Sequence, residues 1–222
     1  MIAVIILAAG AAERMGRPKQ LLPWPPSGET TLLGHAVDVA RRSVADQVVV
    51  VLGYQADLIR RTVNMPGVCV VVNQEWPAGL ASSVRAGLAA VPDAAAVVFM
   101  PCDQPGITSD LVNRVIATHQ TTGRPIVMVR CGDRRGPPAL FARSIFPVLA
   151  ALTGDQGGRQ LLEMYPDQVA WVDLDESAAA CLADVDTPAD YQALFHPATS
   201  STTSPEGKSA TQRRGGAKEL GF

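Results

Sequence analysis

The stretch Ile5–Pro23, IILAAGAAERMGRPKQLLP, joins an apolar run to a loop that carries two glycines, two arginines and a lysine. An apolar run without polar alternation is typical of a strand that is covered on both faces, as in a parallel sheet. Because Pro18 and Pro23 oppose a regular helix directly after Gly16, we expect the loop to be long and open. In open parallel sheets, ligands bind beyond the carboxyl ends of the strands. The stretch therefore predicts both a fold class and the position of a site.

The pattern of the first apolar run recurs along the chain. The predicted strands are Ile2–Ala8, Gln47–Leu52, Val68–Val72, Ala94–Met100 and Pro125–Val129. Helix-like stretches separate these runs, namely Leu32–Val44, Ala56–Val63, Leu80–Val91 and a segment that begins at Thr108 or Ser109 and ends near Thr121. The alternation predicts an α/β protein, a three-layer α/β/α sandwich around a Rossmann-like, mainly parallel sheet. The loops after Ala8, Val72 and Met100 are then the places to look for a site.

The pattern loosens after about Pro137 and ends near the C-terminus. Further elements are predicted at Ala142–Leu152, Gly158–Tyr165, Val169–Leu174 and Pro188–Leu194. From about Pro197 the sequence is rich in Ser, Thr, Gly, Pro and charged residues, without apolar periodicity. We therefore expect one domain over 1–196 and a disordered tail over 197–222.

The composition is that of an ordinary globular protein. The chain has 222 residues, 47% of them hydrophobic, and a formal net charge of −2, which gives no overall attraction to nucleic acid or to anionic membranes. The first apolar run has no basic segment before it, and no run approaches the ~20 residues needed to span a bilayer. The four cysteines show no C-x-x-C spacing and are expected to be buried small hydrophobes. We expect a cytoplasmic protein with neither nucleic acid nor membrane as a partner.

The loop of the opening stretch has the chemistry of an anion site. Glycines let backbone amides approach a ligand closely and form an anion-binding nest. Arg14, Arg17 and Lys19 add the positive charge that a triphosphate requires. Five residues separate Gly10 from Gly16, so the loop matches neither the Walker motif nor the dinucleotide fingerprint. The alternative interpretation is a basic surface loop.

The segment Leu7–Pro23 resembles the signature L-A-A-G-x-S-x-R-M-G-x-x-K-x-L-L of the nucleotidyltransferases related to the molybdenum cofactor cytidylyltransferase. The resemblance extends to about Leu194 and implies a MobA-like NTP transferase domain with the fold of the nucleotide-diphospho-sugar transferases. In that family the loop holds the nucleoside triphosphate, and the matching residues here are Leu7, Ala8, Ala9, Gly10, Arg14 and Lys19. L-A-A-G is the form seen in cytidylyltransferases, whereas guanylyltransferases usually show L-A-G-G, and this favours CTP. Ala12 replaces the usual serine, so a hydroxyl that could bind phosphate is missing.

A second motif, NQEWPAGLASSVRAGL over Asn73–Leu88, follows the third predicted strand. It resembles the family's N-P-x-W-x-x-G-x-x-S-S segment, which reads the base and helps to seat the triphosphate, although Gln74 replaces the usual proline. The residues that the resemblance implies in nucleotide binding are Asn73, Gly79, Ser82 and Ser83. The alternative is an ordinary helix N-terminus with Trp76 as a packing residue.

Two acidic segments are candidates for a magnesium site. MPCDQP, Met100–Pro105, follows the fourth predicted strand, and a carboxylate there would face a bound triphosphate. Magnesium prefers one or two carboxylates together with phosphate oxygens and water. The family's D-Q-P supports Asp103 as the first ligand, whereas the alternative is a plain turn residue.

The second carboxylate is expected in DVDTPAD, Asp184–Asp190, which resembles the family's D-I-D-T-P-E-D segment. We choose Asp186 over Asp184 as the ligand. The alternative is that Asp186 and Thr187 cap the last helix, with Pro188 in its first turn. Both functions can coexist if different residues perform them.

The acceptor is expected near GDQGGR, Gly154–Arg159, which resembles the family's G-D-x-G-A-R motif. The implied acceptor-binding residues are Gly154, Asp155, Gly157 and Arg159. Arg159 would hold the acceptor's phosphate, and Asp155 would orient Arg159 or cap the helix that follows. In RRGPP, Arg134–Pro138, Pro137 replaces a polar residue that many relatives carry.

The resemblance implies transfer of CMP from CTP to a molybdopterin-type molybdenum cofactor, with release of pyrophosphate and a molybdenum hydroxylase as the expected recipient. Lys19, Arg14 and Asp103 are the expected catalytic residues, and Mg²⁺ is expected on Asp103 and Asp186. No general base is needed, because an acceptor phosphate is already ionised. Two alternatives remain: a nucleotidyltransferase for another phosphorylated acceptor or with another NTP, and a carrier that delivers cofactor without transferring nucleotide. The missing glycine fingerprint argues against a dinucleotide-dependent oxidoreductase.

Overall fold

The computed structural model describes residues 1–25 and 28–195. The predicted tail, 197–222, lies outside the described residues. The boundary between domain and tail therefore stays a prediction.

The strands of the described residues form one large sheet and one small ribbon. They are β1 (Ile2–Ala8), β2 (Pro23–Trp24), β3 (Thr30–Thr31), β4 (Gln47–Leu52), β5 (Cys69–Val72), β6 (Ala96–Pro101), β7 (Ile126–Cys131), β8 (Arg134–Ala142) and β9 (Val169–Asp173). The large sheet has seven strands in the order β5-β4-β1-β6-β8-β7-β9, and β2 pairs with β3 in the ribbon. Every neighbouring pair of the large sheet is parallel except those that include β8. The predicted mainly parallel sheet is therefore confirmed.

Helices cover both faces of this sheet. The α-helices of the described residues are α1 (Leu32–Arg42), α2 (Ala56–Thr62), α3 (Leu80–Ala89), α4 (Ser109–Thr122), α5 (Phe146–Ala151), α6 (Arg159–Met164) and α7 (Pro188–Ala193). Apolar residues of α1, α2 and α4 pack on one face, and those of α3, α5 and α6 pack on the other. The three-layer sandwich expected from the sequence is confirmed.

The central strand β1 explains why its sequence is apolar without alternation. Val4 and Ile6 belong to the core on one face, whereas Ala3 and Ile5 belong to the core on the other face. All four residues are 0% exposed. Because successive side chains of a strand point to opposite faces, a strand that is covered twice is apolar at every position.

The sequence did not predict β8, which lies between β6 and β7 in the sheet. Its first half contains Gly136, Pro137 and Pro138, which are residues that normally argue against a central strand. The pairing with β7 is irregular there, since Val127 pairs with Leu140 and Val129 with Gly136. Prolines lack an amide donor, and the irregularity accommodates them where the ladder is interrupted.

The structure shows which of Thr108 and Ser109 precedes helix α4. Its side chain accepts a hydrogen bond of 3.2 Å from the amide of Leu111, so Thr108 caps α4 and Ser109 is the first helical residue. The helix ends at Thr122, and the next residue, Gly123, has a φ of 66°, in the left-handed region that favours glycine.

The remaining sequence expectations concern membranes and cysteines. Within the described ranges, no helix combines the length and apolarity that a membrane span needs.

The four cysteines are free thiols, and Cys102 and Cys131 are buried as expected. Cys69 is exposed and Cys181 is half-buried, so the expectation of uniform burial was wrong.

Candidate active site

A cavity of about 530 Å³ opens beyond the carboxyl ends of β1 and β6. Its walls come from the loops after β1, β5 and β6, together with parts of the C-terminal segments. The residues singled out in the sequence that line it are Leu7, Ala8, Ala9, Gly10, Ala12, Arg14, Lys19, Trp76, Gly79, Ser83, Asp103, Pro137, Asp155, Asp184 and Asp186. The fold thus brings most of the predicted nucleotide, metal and acceptor residues to one place.

The loop after β1 turns back on itself through two left-handed residues. Ala12 has φ 53° and ψ 46°, and Gly16 has φ 70°. Between them, Met15 is buried and packs in a small apolar cluster with Leu22 and Val185. This anchor fixes the loop to the segment that carries Asp186.

Lys19 lies between the two predicted metal ligands. Its Nζ forms an ion pair with Asp103 and another of 3.0 Å with Oδ1 of Asp186. Arg14, which is 62% exposed, reaches Oδ2 of the same Asp186 at 2.8 Å. The cavity therefore contains a compact cluster of two cations and two carboxylates.

The electrostatics keep Lys19 charged. Burial by itself would lower the pKa of Lys19, but the charges and hydrogen bonds of Asp103 and Asp186 outweigh burial and raise the pKa above its usual value. Lys19 is therefore a permanent cation over the range in which enzymes operate.

Asp184 has a different environment from Asp186. Its Oδ1 accepts a hydrogen bond of 2.8 Å from Nε2 of Gln104. Burial raises the pKa of Asp184, the hydrogen bond from Gln104 opposes this rise, and the charges of Asp103 and Asp186 add to it. In the described structure Lys19 and Arg14 pair with Asp186, and Asp184 is bonded to an amide.

The capping alternative for the last helix is settled by Thr187 and Asp190. The Thr187 side chain accepts from the amide of Asp190, and the Asp190 carboxylate accepts from the amide of Thr187 at 2.8 Å. This is a capping box at the start of α7. The carboxylate of Asp186 is not needed for the cap and is directed at the two cations instead.

Asn73 and Ser82 lie behind the cavity wall. The Asn73 amide donates to the hydroxyls of Ser82 at 2.8 Å and Ser83 at 3.1 Å, and its Oδ1 accepts from the amide of Glu75. Both Asn73 and Ser82 are buried, and Ser82 donates in turn to the carbonyl of Gly79. Of these residues, Ser83 and Gly79 line the cavity. A direct contact of Asn73 with nucleotide stays a prediction, while its visible bonds hold the start of α3.

The predicted acceptor motif packs directly on Gly79. Gly79 has φ 95°, and a Cβ at this position would lie 2.5 Å from the carbonyl oxygen of Gly154. That carbonyl accepts from the amide of Ala81 at 2.9 Å, and Asp155 accepts from the amide of Leu80 at 3.4 Å. Asp155 therefore contacts the start of α3, and its predicted contact with Arg159 stays a prediction.

The rest of the motif precedes and begins α6. Gly157 is buried, and the backbone of Arg159 starts α6. The side chain of Arg159 lies outside the described residues. Its contact with an acceptor phosphate stays a prediction.

The donor set of the cavity fits a hard divalent cation. Asp103 and Asp186 come from different segments and both contact one ammonium group. Within the described part of the chain, no three or more His, Cys, Asp or Glu side chains are grouped so that they could hold a metal ion. The candidate ligands here are a pair of carboxylates. A pair of carboxylates leaves coordination positions for phosphate oxygens and water, which is how magnesium is usually held.

The sequence did not single out Gln20 and Gln104, which line the same cavity. Gln20 is 1% exposed and Gln104 is 7% exposed. Each glutamine directly follows a predicted site residue, Lys19 or Asp103, and this adjacency is the signal that could have drawn attention to them.

Comparisons with known proteins show the family to which the chain belongs. The model of the MobA-like NTP transferase domain matches residues 4–169. A nicotine blue oxidoreductase from Paenarthrobacter nicotinovorans is 32% identical over 190 residues, which are 82% of this chain and 91% of that protein. The molybdenum cofactor cytidylyltransferase of Escherichia coli is 30% identical over 112 residues, which are 50% of this chain and 56% of that protein.

A solved structure extends the similarity to the whole fold. Rv0371C from Mycobacterium tuberculosis, in complex with manganese, is similar with a TM-score of 0.73 and 35% identity, and the match covers 88% of this chain and 98% of that chain. The expected enzyme class, a nucleotidyltransferase, is confirmed by the family match and by the relatives that bear this activity in their names. The chain belongs to the MobA-like NTP transferase domain family.

Proposed function

We propose that the chain transfers CMP from CTP to the phosphate of a molybdopterin-type molybdenum cofactor and releases pyrophosphate. The observation that carries the proposal is the position of Lys19, which contacts both Asp103 and Asp186 inside the cavity. A buried cation next to two carboxylates is suited to bind a triphosphate together with a divalent metal ion.

Lys19 and Arg14 provide the charge that the reaction needs. Negative charge develops on the α-phosphate and on the departing pyrophosphate, and fixed cations in a partly dry cavity stabilise it strongly. Lys19 is held in place by its burial and by two carboxylates. Arg14 is more exposed and, among the described residues, forms an ion pair with one carboxylate, so it can move onto the outer phosphates. Catalysis by these groups is positioning and electrostatics.

Asp103 and Asp186 are proposed to hold Mg²⁺, which when bound supplies a Lewis acid for the triphosphate oxygens. Support comes from their joint position beside Lys19 and from the manganese complex of the related mycobacterial protein. Asp186 is preferred over Asp184, because Asp184 is already hydrogen-bonded to Gln104.

The acceptor is proposed to enter from the side of Gly154, Asp155, Gly157 and Arg159. A phosphate oxygen of the acceptor attacks the α-phosphorus in line, a new phosphorus–oxygen bond forms, and the bond to the pyrophosphate oxygen breaks. The bonding electron pair leaves with pyrophosphate. The acceptor phosphate is already ionised near neutral pH, so the chain needs no general base.

The choice of CTP rests on the L-A-A-G form of Leu7–Gly10 and on the similarity to the cytidylyltransferase of Escherichia coli. A cytoplasmic location and a molybdenum hydroxylase that receives the product complete the proposal.

A pyrophosphate-release assay with magnesium tests the whole proposal. CTP, GTP, ATP and UTP are compared, each with and without molybdenum cofactor. Release that requires both CTP and the cofactor is the expected result. Release with another base or another phosphorylated acceptor would revise the substrate and keep the enzyme class, an outcome that the departure at Pro137 makes worth testing. No release by folded protein with any combination would refute the proposal.

An oxidoreductase is the second candidate, because the nicotine blue oxidoreductase is similar over 91% of its length. A dinucleotide would then occupy the cavity with its diphosphate near Lys19. Oxidation of reduced nicotinamide dinucleotides by an artificial electron acceptor tests this candidate. Turnover that depends on Lys19, without pyrophosphate release from any NTP, would favour it.

A further inference from the structure

Gln20 is a buried side chain in the cavity wall, and its amide group donates hydrogen bonds to the loop after β1. Its Nε2 donates to the carbonyl oxygen of Ala8 at 2.8 Å and to that of Gly10 at 3.0 Å. A side-chain NH₂ group has two hydrogens, so these bonds use both donors. The amide orientation is fixed by its partners, because the carbonyl end of the side chain could not donate to either oxygen.

The loop carbonyl between those two is also occupied. The carbonyl oxygen of Ala9 accepts a hydrogen bond of 3.0 Å from the backbone amide of Tyr54. Three consecutive carbonyls, those of Ala8, Ala9 and Gly10, are thereby tied to the protein. Carbonyl oxygens that are held by internal donors are kept from pointing at an anionic ligand.

Three backbone amides at the start of the same loop, unlike its carbonyls, have no hydrogen-bond partner among the described residues. Among the hydrogen bonds of the described residues, none is donated by the backbone amides of Gly10, Ala11 or Ala12. All three residues line the cavity. Gly10 is exposed, whereas Ala11 and Ala12 are half-buried. Half-buried amides need acceptors, and phosphate oxygens are suitable ones. The loop therefore has its acceptors satisfied internally and its donors left for a ligand.

We propose that Gln20 is a positioning residue for phosphate binding: by holding the carbonyls of Ala8 and Gly10, it directs the amides of the loop toward the triphosphate. This inference rests on the proposed triphosphate site and adds a residue that acts on it without contacting the ligand. It also explains an otherwise unfavourable feature, since Oε1 of Gln20 is buried without a hydrogen-bond partner among the described residues. The orientation that lets Nε2 donate to both carbonyls leaves Oε1 without a donor.

If Gln20 positions the loop, removing its donors should weaken binding of ligands that carry a triphosphate more than binding of ligands without phosphate. Gln20→Met keeps the length and volume of the side chain and removes both donors. We expect its Kd for inorganic tripolyphosphate and for CTP, measured by calorimetry with magnesium, to rise about tenfold or more, since two hydrogen bonds that hold the loop are lost. The Kd for cytidine should stay within about twofold of the wild-type value, and CMP should lie between. Gln20→Glu, which accepts and cannot donate, should show the same order of ligands with a larger loss.

A stability control separates positioning from general destabilisation. Val115→Ala removes volume from a fully buried position of α4, on the face of the sheet opposite α3. It should lower Tm and leave the ratio of tripolyphosphate to cytidine affinity unchanged.

Two outcomes would overturn the inference, and they can be told apart. If wild-type protein binds tripolyphosphate and Gln20→Met binds every ligand as the wild type does, or loses all of them equally, Gln20 does not position the loop. If wild-type protein binds neither tripolyphosphate nor any NTP, the triphosphate site itself is wrong, and the inference falls with it.

Discussion

The backbone amide of Val185 donates a hydrogen bond of 2.9 Å to the carbonyl oxygen of Asp103. This bond ties the loop after β6 to the segment before α7, which are far apart in the sequence. Asp186 directly follows the donor, so the bond sets the position of its carboxylate next to that of Asp103. The two carboxylates that contact Lys19 are therefore held next to each other by a backbone hydrogen bond between their segments.

The two candidate ligands of the C-terminal segment can be separated by matched substitutions. Asp186→Asn should weaken Mn²⁺ affinity at least about tenfold in the presence of CTP, because a metal ligand loses its charge. Asp184→Asn, a change of the same size two positions earlier, should have a smaller effect, since Asp184 is hydrogen-bonded to Gln104. Mn²⁺ binding followed by electron paramagnetic resonance measures both variants. A larger loss in Asp184→Asn would reverse the assignment.

Lys19 should be needed for turnover more than for folding. Lys19→Ala is expected to lower kcat by about 100-fold or more, the scale seen when one group that stabilises transition-state charge is removed. Circular dichroism should show the native fold, because Lys19 belongs to a short 3-10 helix in the loop after β1 and not to the apolar core. Arg60→Ala, an exposed change on α2, serves as the control for loss of a cation. Wild-type turnover in Lys19→Ala would remove Lys19 from the mechanism.

Sequence patterns were sufficient for the elements whose function in the fold is burial. β1 and β4 have the predicted bounds, because strands that are covered on both faces are apolar throughout. β8 escaped prediction because Gly136, Pro137 and Pro138 mask a central strand. Local patterns do not encode the pairing irregularity that accommodates those residues.

In the candidate site, too, some residues could be predicted from the sequence and others could not. Motif positions and the family resemblance pointed to Lys19, Asp103 and Asp186 as candidates, and the structure places these three side chains in contact. They could not show that Asp155 contacts the start of α3 or that Gln20 bridges two carbonyls. Those contacts join residues that are distant in sequence or buried behind the loop, and they arise only when the sheet brings the segments together.

Gly79 should be intolerant of a side chain for two reasons that can be separated. Its φ of 95° strains any other residue, and a Cβ would collide with the backbone of Gly154. Gly79→Ala is expected to lower the free energy of unfolding by more than the ~1–3 kcal/mol of backbone strain alone, and to raise KM for the acceptor. Gly67→Ala is the control, since φ there is 73° and no atom lies within 4 Å of the added Cβ. Equal losses in the two variants, by urea unfolding, would argue against the contact with Gly154.

His35 should make the stability of the fold depend on pH. Burial lowers the pKa of His35 and the charge of Arg42 adds to this, while the hydrogen bond with Pro105 and the charge of Asp38 oppose it. Nε2 lies 3.0 Å from the Pro105 carbonyl, which accepts, so the neutral ring donates from this nitrogen. Because the folded state binds the proton more weakly than the unfolded state does, the stabilisation is complete above the unfolded pKa of about 6.5 and is lost as the pH falls toward the lower folded value.

The wild-type protein is therefore expected to lose stability between about pH 7 and pH 5, and His35→Gln should lose less over the same interval. Gln can still donate to the Pro105 carbonyl, and it cannot take up a proton, so the variant removes the titration while retaining a donor. Urea unfolding at several pH values measures the difference. The slope with pH should differ most just below the unfolded pKa, where only the unfolded state is protonated. Parallel curves for the two proteins would show that His35 does not couple protonation to folding.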